Sequence, residues 1–193
     1  MGHISKESTL NLKNIESSYS KNNLHRELYT YVLGRNPKKV IEFGCLEGYS
    51  TVAIAKALMN LNNGGTLKAY DVWNEYPYKA GIKNKVRLNL EKNNISSIVE
   101  IGTMDFYKFL DNPEPFDLLH LDISNDGDII EKAIDALWPQ IKTGSTIIFE
   151  GGSEERDTEK WMLDYNKKPI NSIKHTYTLL TDKWPSIGLY NYE

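Results

Sequence analysis

Short apolar runs alternate along this chain with segments whose apolar residues recur every three or four positions. The runs at 39–43, 66–71, 98–102, 116–122 and 145–150 are bounded by Gly, Asn or Pro, which predicts strands. Between them the spacing is helical. Leu24, Leu28, Tyr31 and Val32 form one such set, with Gly34 where a helix would stop. Val52, Ile54, Ala55 and Leu58 mark a helix over about 50–60, and Ile82, Val86, Leu88 and Leu90 mark another. Phe106, Phe109 and Leu110 make a short one. Asp128 is expected to cap the next, with Glu131 three residues on as its capping-box partner, and Pro139 limits it. Five strands alternating with helices predict a doubly wound, parallel α/β sheet.

The C-terminal end breaks the alternation. Residues 153–165 read as a helix with Trp161 and Met162 on its apolar side. Two strand-like runs follow, at 177–181 and 187–192, joined by a link too short for a helical crossover, so they must be antiparallel. The expected fold is a seven-stranded, mostly parallel, Rossmann-like α/β sheet with a C-terminal antiparallel hairpin. Residues 1–20 are polar apart from scattered Leu10, Leu12 and Ile15, and are expected to form a flexible arm or a short covering helix. Residues 21–193 read as one domain, consistent with a chain of 193 residues that is 40% hydrophobic.

Charge and cysteine content exclude more than they assign. A net charge of −3 gives no electrostatic footprint for nucleic acid. The single cysteine, Cys45, rules out an internal disulfide and suits a reducing compartment. No apolar run reaches membrane-spanning length and the N-terminus lacks a signal-peptide core, so a cytoplasmic protein is expected.

The most informative stretch is 40–50. An apolar run ends in Glu42, turns through Gly44 and Gly48, and enters a helix at Tyr49 and Ser50. Glycines there let a backbone approach a ligand, and a helix N-terminus offers free N–H groups to an anion. A dinucleotide loop needs Gly-x-Gly-x-x-Gly, but positions 46 and 51 are Leu and Thr. The pattern Glu-x-Gly-x-x-x-Gly-x-Ser resembles the cofactor loop of class I S-adenosylmethionine (SAM) methyltransferases, and most of all the small catechol-type O-methyltransferases. That resemblance spans about residues 25–192.

Four of the first five strands end in or beside an acid: Glu42, Asp71, Asp122 and Glu150. Asp105 follows strand three. Ligands of open α/β sheets bind beyond the carboxyl ends of strands, where such acids gather. Asp71 can accept ribose hydroxyls, and Trp73 can pack on the sugar or adenine. The resemblance implies that Met104 and Asp105 meet the adenine and that Asp122 stands near the reactive methyl group. It therefore implies SAM as cofactor, held by Glu42, Gly44, Gly48, Tyr49, Ser50, Asp71, Trp73, Met104, Asp105 and Asp122.

The resembled enzymes bind a divalent metal through the acid at Asp122 and an Asp-Asn pair, which here reads Glu150-Gly151. Their lysine base falls at Asn125. These departures remove the amide ligand and the lysine, so no metal is expected, although a hard cation could still bind Asp122 and Glu150 through water; Glu150 becomes the first candidate base, with Asp122 the other catalytic residue. His120, two residues before Asp122, reads as a core histidine first and a base second, and His175 is a weaker alternative. The expected function is methyl transfer from SAM to a small-molecule acceptor, at oxygen. Cleavage or decarboxylation of SAM, or binding without catalysis, stay open as alternatives. No nucleic acid or membrane partner is expected; a homodimer is left open. Acceptor recognition falls to the N-terminal arm, the loop at 73–78 and the loop at 150–156.

Overall fold

The computed structural model describes residues 10–73, 81–138 and 143–192. The elements run α1 (His25–Arg35), β1 (Lys39–Phe43), α2 (Tyr49–Leu61), β2 (Thr66–Asp71), α3 (Lys83–Lys92), β3 (Val99–Thr103), α4 (Phe106–Asp111) and β4 (Leu118–Leu121). They continue with α5 (Gly127–Leu137), β5 (Thr146–Glu150), α6 (Glu154–Asp157), α7 (Lys160–Asp164), β6 (Thr178–Thr181) and β7 (Ile187–Asn191). The sheet order is β3-β2-β1-β4-β5-β7-β6. The first five strands are parallel; β7 runs antiparallel to both β5 and β6. This is the expected seven-stranded, Rossmann-like sheet with its C-terminal hairpin.

Alternation along the strands sends successive side chains to opposite faces. Val40, Leu118 and Ile148 join the apolar cluster that contains Leu28 and Val32 of α1 and Val52 and Leu58 of α2. Ile41, Phe43, Leu119, Leu121, Ile147 and Phe149 join the opposite cluster, with Phe106 and Phe109 of α4 and Ile130 and Ile134 of α5. With both faces covered, β4 and β5 are buried throughout, as parallel strands between helices must be. Glu42, His120 and Glu150 share the phase of Val40, Leu118 and Ile148. The strand pairing sets Glu42 directly beside His120. Three ionisable groups are thereby driven into one face of the sheet.

Three details differ from the sequence expectations. The cap of α5 is Asp126, whose side chain accepts from the Ile129 N–H, and not Asp128; both acids precede the apolar run, and the chain starts the helix at the earlier one. The helix expected over 153–165 is two short helices, broken at Thr158 and Glu159. Of the two readings of residues 1–20, residues 10–20 fit the covering helix and not the flexible arm: Ile15 and Tyr19 are buried, and Ser18–Asn22 forms a 3-10 helix capped by Ser17. Pro139, residues 74–78 of one expected acceptor loop, and residues 1–9 lie outside the described residues. Among the described residues, no helix is long and apolar enough to cross a membrane.

Candidate functional site

The strand order reverses between β1 and β4, so their carboxyl ends flank the crevice where such sheets bind ligands. A cavity of about 410 Å³ opens there. That is within the ~300–1,000 Å³ range of small-molecule sites. Its walls come from the end of β1 and the following loop (Phe43, Gly44, Cys45, Leu46) and from Tyr49 and Ser50 at the start of α2. Tyr70 and Asp71 end β2 and Val72 follows it, Met104 to Tyr107 follow β3, and Asp122 to Ser124 follow β4; Ile129 and residues 16–18 complete it. Of the expected site residues, Gly44, Tyr49, Ser50, Asp71, Met104, Asp105 and Asp122 line this cavity. Glu42, Gly48, Trp73 and Glu150 do not.

Gly44 adopts φ +90°, and a Cβ there would lie 1.8 Å from the Asp122 carbonyl oxygen. The glycine is required by the close approach of β4, on top of any ligand. Gly48 adopts φ +91° and caps α2; a Cβ there would meet Val86 of α3, 3.2 Å away. Its role is therefore turn geometry and helix packing, not contact with the cavity.

Asp71 organises the loop. One carboxylate oxygen accepts from the N–H groups of Cys45 (2.8 Å) and Leu46 (3.1 Å), and the other from Trp73 N–H (2.8 Å). Trp73 itself is buried, with its indole N–H donated to the Gly102 carbonyl at 3.1 Å. It packs in the core rather than on a ligand. Asp105 caps α4, accepting from Tyr107 and Lys108 N–H, while it also lines the cavity. Burial pushes the Cys45 thiol well up, so it stays a protonated, inert side chain.

Beneath the floor lies a buried polar network. The Ser50 hydroxyl donates to Glu42 Oε1 at 2.6 Å, and His120 Nδ1 lies 3.0 Å from the same oxygen. A carboxylate only accepts here, so Nδ1 carries the hydrogen. His120 Nε2 then faces the Tyr19 hydroxyl at 3.4 Å. Glu42 Oε2 is buried without a partner. The core reading of His120 holds, with its ring fully enclosed. His175 instead pairs with Asp135 at 2.9 Å, away from the cavity lining.

The two candidate catalytic acids diverge. Asp122 lines the cavity, and its carboxyl is raised to about 7 by burial and by the charges of Glu150 and Glu42, with His120 and Arg156 opposing. Glu150 is buried and held by Arg156 through both oxygens, Nε to Oε1 at 2.7 Å and Nη2 to Oε2 at 2.9 Å. Burial pushes its carboxyl up, against the pull of the guanidinium. A side chain so engaged is not presented to a substrate, which goes against Glu150 as a base. The positive φ angles of Gly151 (+112°) and Gly152 (+97°) fold the chain back so that Arg156 reaches it. Asn125 is buried, donating to the carbonyls of Leu121 and Glu150, so it braces the ends of β4 and β5. Among the described residues, no three potential metal-binding side chains of the His, Cys, Asp or Glu type converge.

Sequence reasoning assigned the N-terminal arm to acceptor recognition without singling out Glu16, Ser17 or Ser18, and it missed the contributions of Tyr70 and Phe106 to the wall. The apolar spacing of Leu12, Ile15 and Tyr19 in an otherwise polar stretch is the signal that the N-terminal segment docks.

None of the curated protein sequences matches the chain. Among solved structures, an O-methyltransferase from Bacillus cereus in complex with S-adenosylhomocysteine (SAH) is similar at a TM-score of 0.61 and 19% identity, over 97% of this chain and 90% of that one. TomG from Streptomyces achromogenes, an O-methyltransferase involved in tomaymycin synthesis and solved with SAM, gives 0.58 and 14%, over 92% and 81%. A methyltransferase from Geobacter sulfurreducens gives 0.64 and 14%, over 89% and 79%. These likenesses carry the fold. Residues 41–150 match the family profile of a methyltransferase domain, and this match spans the glycine loop, Asp71, Asp105, Asp122 and Glu150. Covering more than half of the 193 residues, it shows that the chain belongs to the methyltransferase domain family.

Proposed function

We propose that this chain is a SAM-dependent methyltransferase acting at oxygen on a small-molecule acceptor, with Asp122 as the base. The observation that carries the reading is Asp122: an acid in the cavity wall, at the switch point of the sheet, with its carboxyl raised to about 7. A base poised near the working pH is well matched to removing a hydroxyl proton.

The cavity residues fit SAM. Glu42 Oε2 is a buried acceptor lacking a donor, next in sequence to a cavity-lining residue, and suits an ammonium group or a water bound to it. Asp71 accepts three backbone N–H bonds and retains lone-pair capacity for a ribose hydroxyl. Met104 and Phe106 offer apolar surface to an adenine, and Asp105 an acceptor for its amino group. Tyr49 and Ser50 open the N-terminus of α2 toward the carboxylate end. When bound, SAM supplies a methyl group activated by its sulfonium. The protein's part is to exclude water, align the acceptor hydroxyl and take its proton on Asp122.

Glu150 supports this site from behind. Its pair with Arg156 balances part of the negative charge that Glu42, Asp122 and Glu150 bring to one face of the sheet. The acceptor is a small molecule, consistent with the cavity volume. We read the protein as cytoplasmic and without a nucleic-acid partner, on its composition and net charge.

The test is Asp122→Asn, assayed by SAH release across a panel of phenolic and aliphatic alcohols. The wild type should rise in rate with pH through about 7, as the carboxyl loses its proton. The Asn variant should lose roughly a hundredfold or more and show no such rise. An unchanged rate with the same pH profile would remove Asp122 from the role of base.

A further inference from the structure

Residues 10–22 cross the molecule as one strap. Their backbone is tied at Asn11, which exchanges hydrogen bonds with Asn93 (2.9 and 3.2 Å), and at Glu16, whose N–H donates to Glu47 at 3.1 Å. The far end is held by the Asn22 side chain on the Trp184 carbonyl at 2.8 Å. Glu16, Ser17 and Ser18 form a wall of the cavity. Immediately after them, Tyr19 turns inward and is fully buried, its hydroxyl 3.4 Å from His120 Nε2. That imidazole is fixed on Glu42, and Glu42 holds the hydroxyl of Ser50, a residue of the opposite wall. A continuous chain of hydrogen bonds thus runs from the strap, under the floor, to the start of α2. Lifting the strap would take the Tyr19 ring out of the core and strip His120 Nε2 of its partner in a buried site. Leaving such a group unsatisfied is costly.

We propose that Tyr19 is a positioning residue: seated on His120, it holds residues 16–18 in place as a wall of the cavity and so sets how long a bound ligand stays. The proposal rests on the reading of the cavity as a SAM site. Its energetic lever is the one hydroxyl, since Phe at position 19 keeps the ring and its packing.

The experiment follows SAH dissociation from the full chain by stopped-flow competition, together with hydrogen exchange of residues 10–22. Tyr19→Phe should release SAH about three- to tenfold faster, the span expected for loss of one such hydrogen bond. Exchange should speed up in residues 15–22 and stay unchanged in β1 and β4. Val32→Ala, which removes core packing in α1, serves as a purely structural control and should leave the dissociation rate alone. Equal acceleration in both variants, or wild-type dissociation and exchange in Tyr19→Phe, would overturn the proposal. If the wild type binds no SAH, the SAM reading fails, and exchange in the unliganded proteins decides the seat of Tyr19 by itself. Faster exchange confined to the strap in Tyr19→Phe supports it, and no difference overturns it.

Discussion

Replacing Gly44 with alanine adds one methyl group at the tightest point between β1 and β4. The backbone there has φ +90°, a conformation that costs a residue with a Cβ ~1–3 kcal/mol. The new carbon would lie 1.8 Å from the Asp122 carbonyl oxygen and 2.5 Å from its carbon. Non-bonded carbon contacts are comfortable at ~3.5–4.0 Å, so the ends of the two strands must part. The bond from Asp122 N–H to the Phe43 carbonyl, 2.9 Å long, closes that end of the ladder and would be lost, at ~0.5–1.5 kcal/mol. Together these give about 2–4 kcal/mol, a large share of the ~5–15 kcal/mol that holds a domain folded. In a chain of this size each kcal/mol moves Tm by ~2–4 °C, so calorimetry should show a fall of roughly 4–16 °C. Gly34, inside α1 with nothing within 4 Å of its Cβ position, is the control. Gly34→Ala should gain about 0.5–1 kcal/mol from the better helix former. If Gly44→Ala melts within about 2 °C of the wild type, the contact with Asp122 is not what the glycine serves.

Glu150→Gln leaves the Arg156 guanidinium buried without a full counter-charge and should destabilise by ~3–5 kcal/mol in urea titrations, with Glu150→Gln/Arg156→Met recovering much of the loss. A stable single variant with a large specific loss of turnover would instead restore Glu150 as the base. Asp71→Ala removes the acceptor of three loop N–H groups, so stability and SAH affinity should fall together, each by ~1.5–3 kcal/mol, with Asp71→Asn recovering part. Normal SAH affinity in the alanine variant would show that the loop holds its shape without it. The Asp122 carboxyl, raised to about 7, binds a proton in the folded state that the unfolded state has already released above about 4. Its contribution therefore lowers wild-type stability as pH rises from about 4 to about 7, and Asp122→Asn should lack that slope in melts across the range. Parallel pH profiles for the two proteins would contradict the assignment.

The strands were legible because each is a short apolar run between turn residues: the expected 39–43 and 66–71 coincide with β1 and β2, and the others shift at their ends. The antiparallel hairpin followed from the short link between 181 and 187. The acids at strand ends were legible as a group, but not in their separate roles. Asp122 just follows buried β4 and Glu150 ends buried β5 in the same phase, and only the double-glycine turn that returns Arg156 to Glu150 tells them apart. Gly44 and Gly48 signalled a tight turn correctly, yet what fills the space beside them is the Asp122 carbonyl and the Val86 side chain, both distant in sequence. Trp73 sits two residues past Asp71, as a ligand-stacking residue would, but its indole N–H is satisfied by the Gly102 carbonyl on another strand. The docking of residues 10–22 is signalled by the spacing of Leu12, Ile15 and Tyr19, but its seat, a hydroxyl on a histidine 101 positions away, is a pairing that no local pattern encodes.

The cavity beyond β1 and β4 is read as a site for SAM and not for a dinucleotide. Calorimetric titration of the full chain with SAH, and separately with NAD, tests it most directly. Saturable one-to-one binding of SAH, weakened in Asp71→Ala, is expected, with no binding of NAD. Saturable binding of NAD with no response to SAH would contradict it.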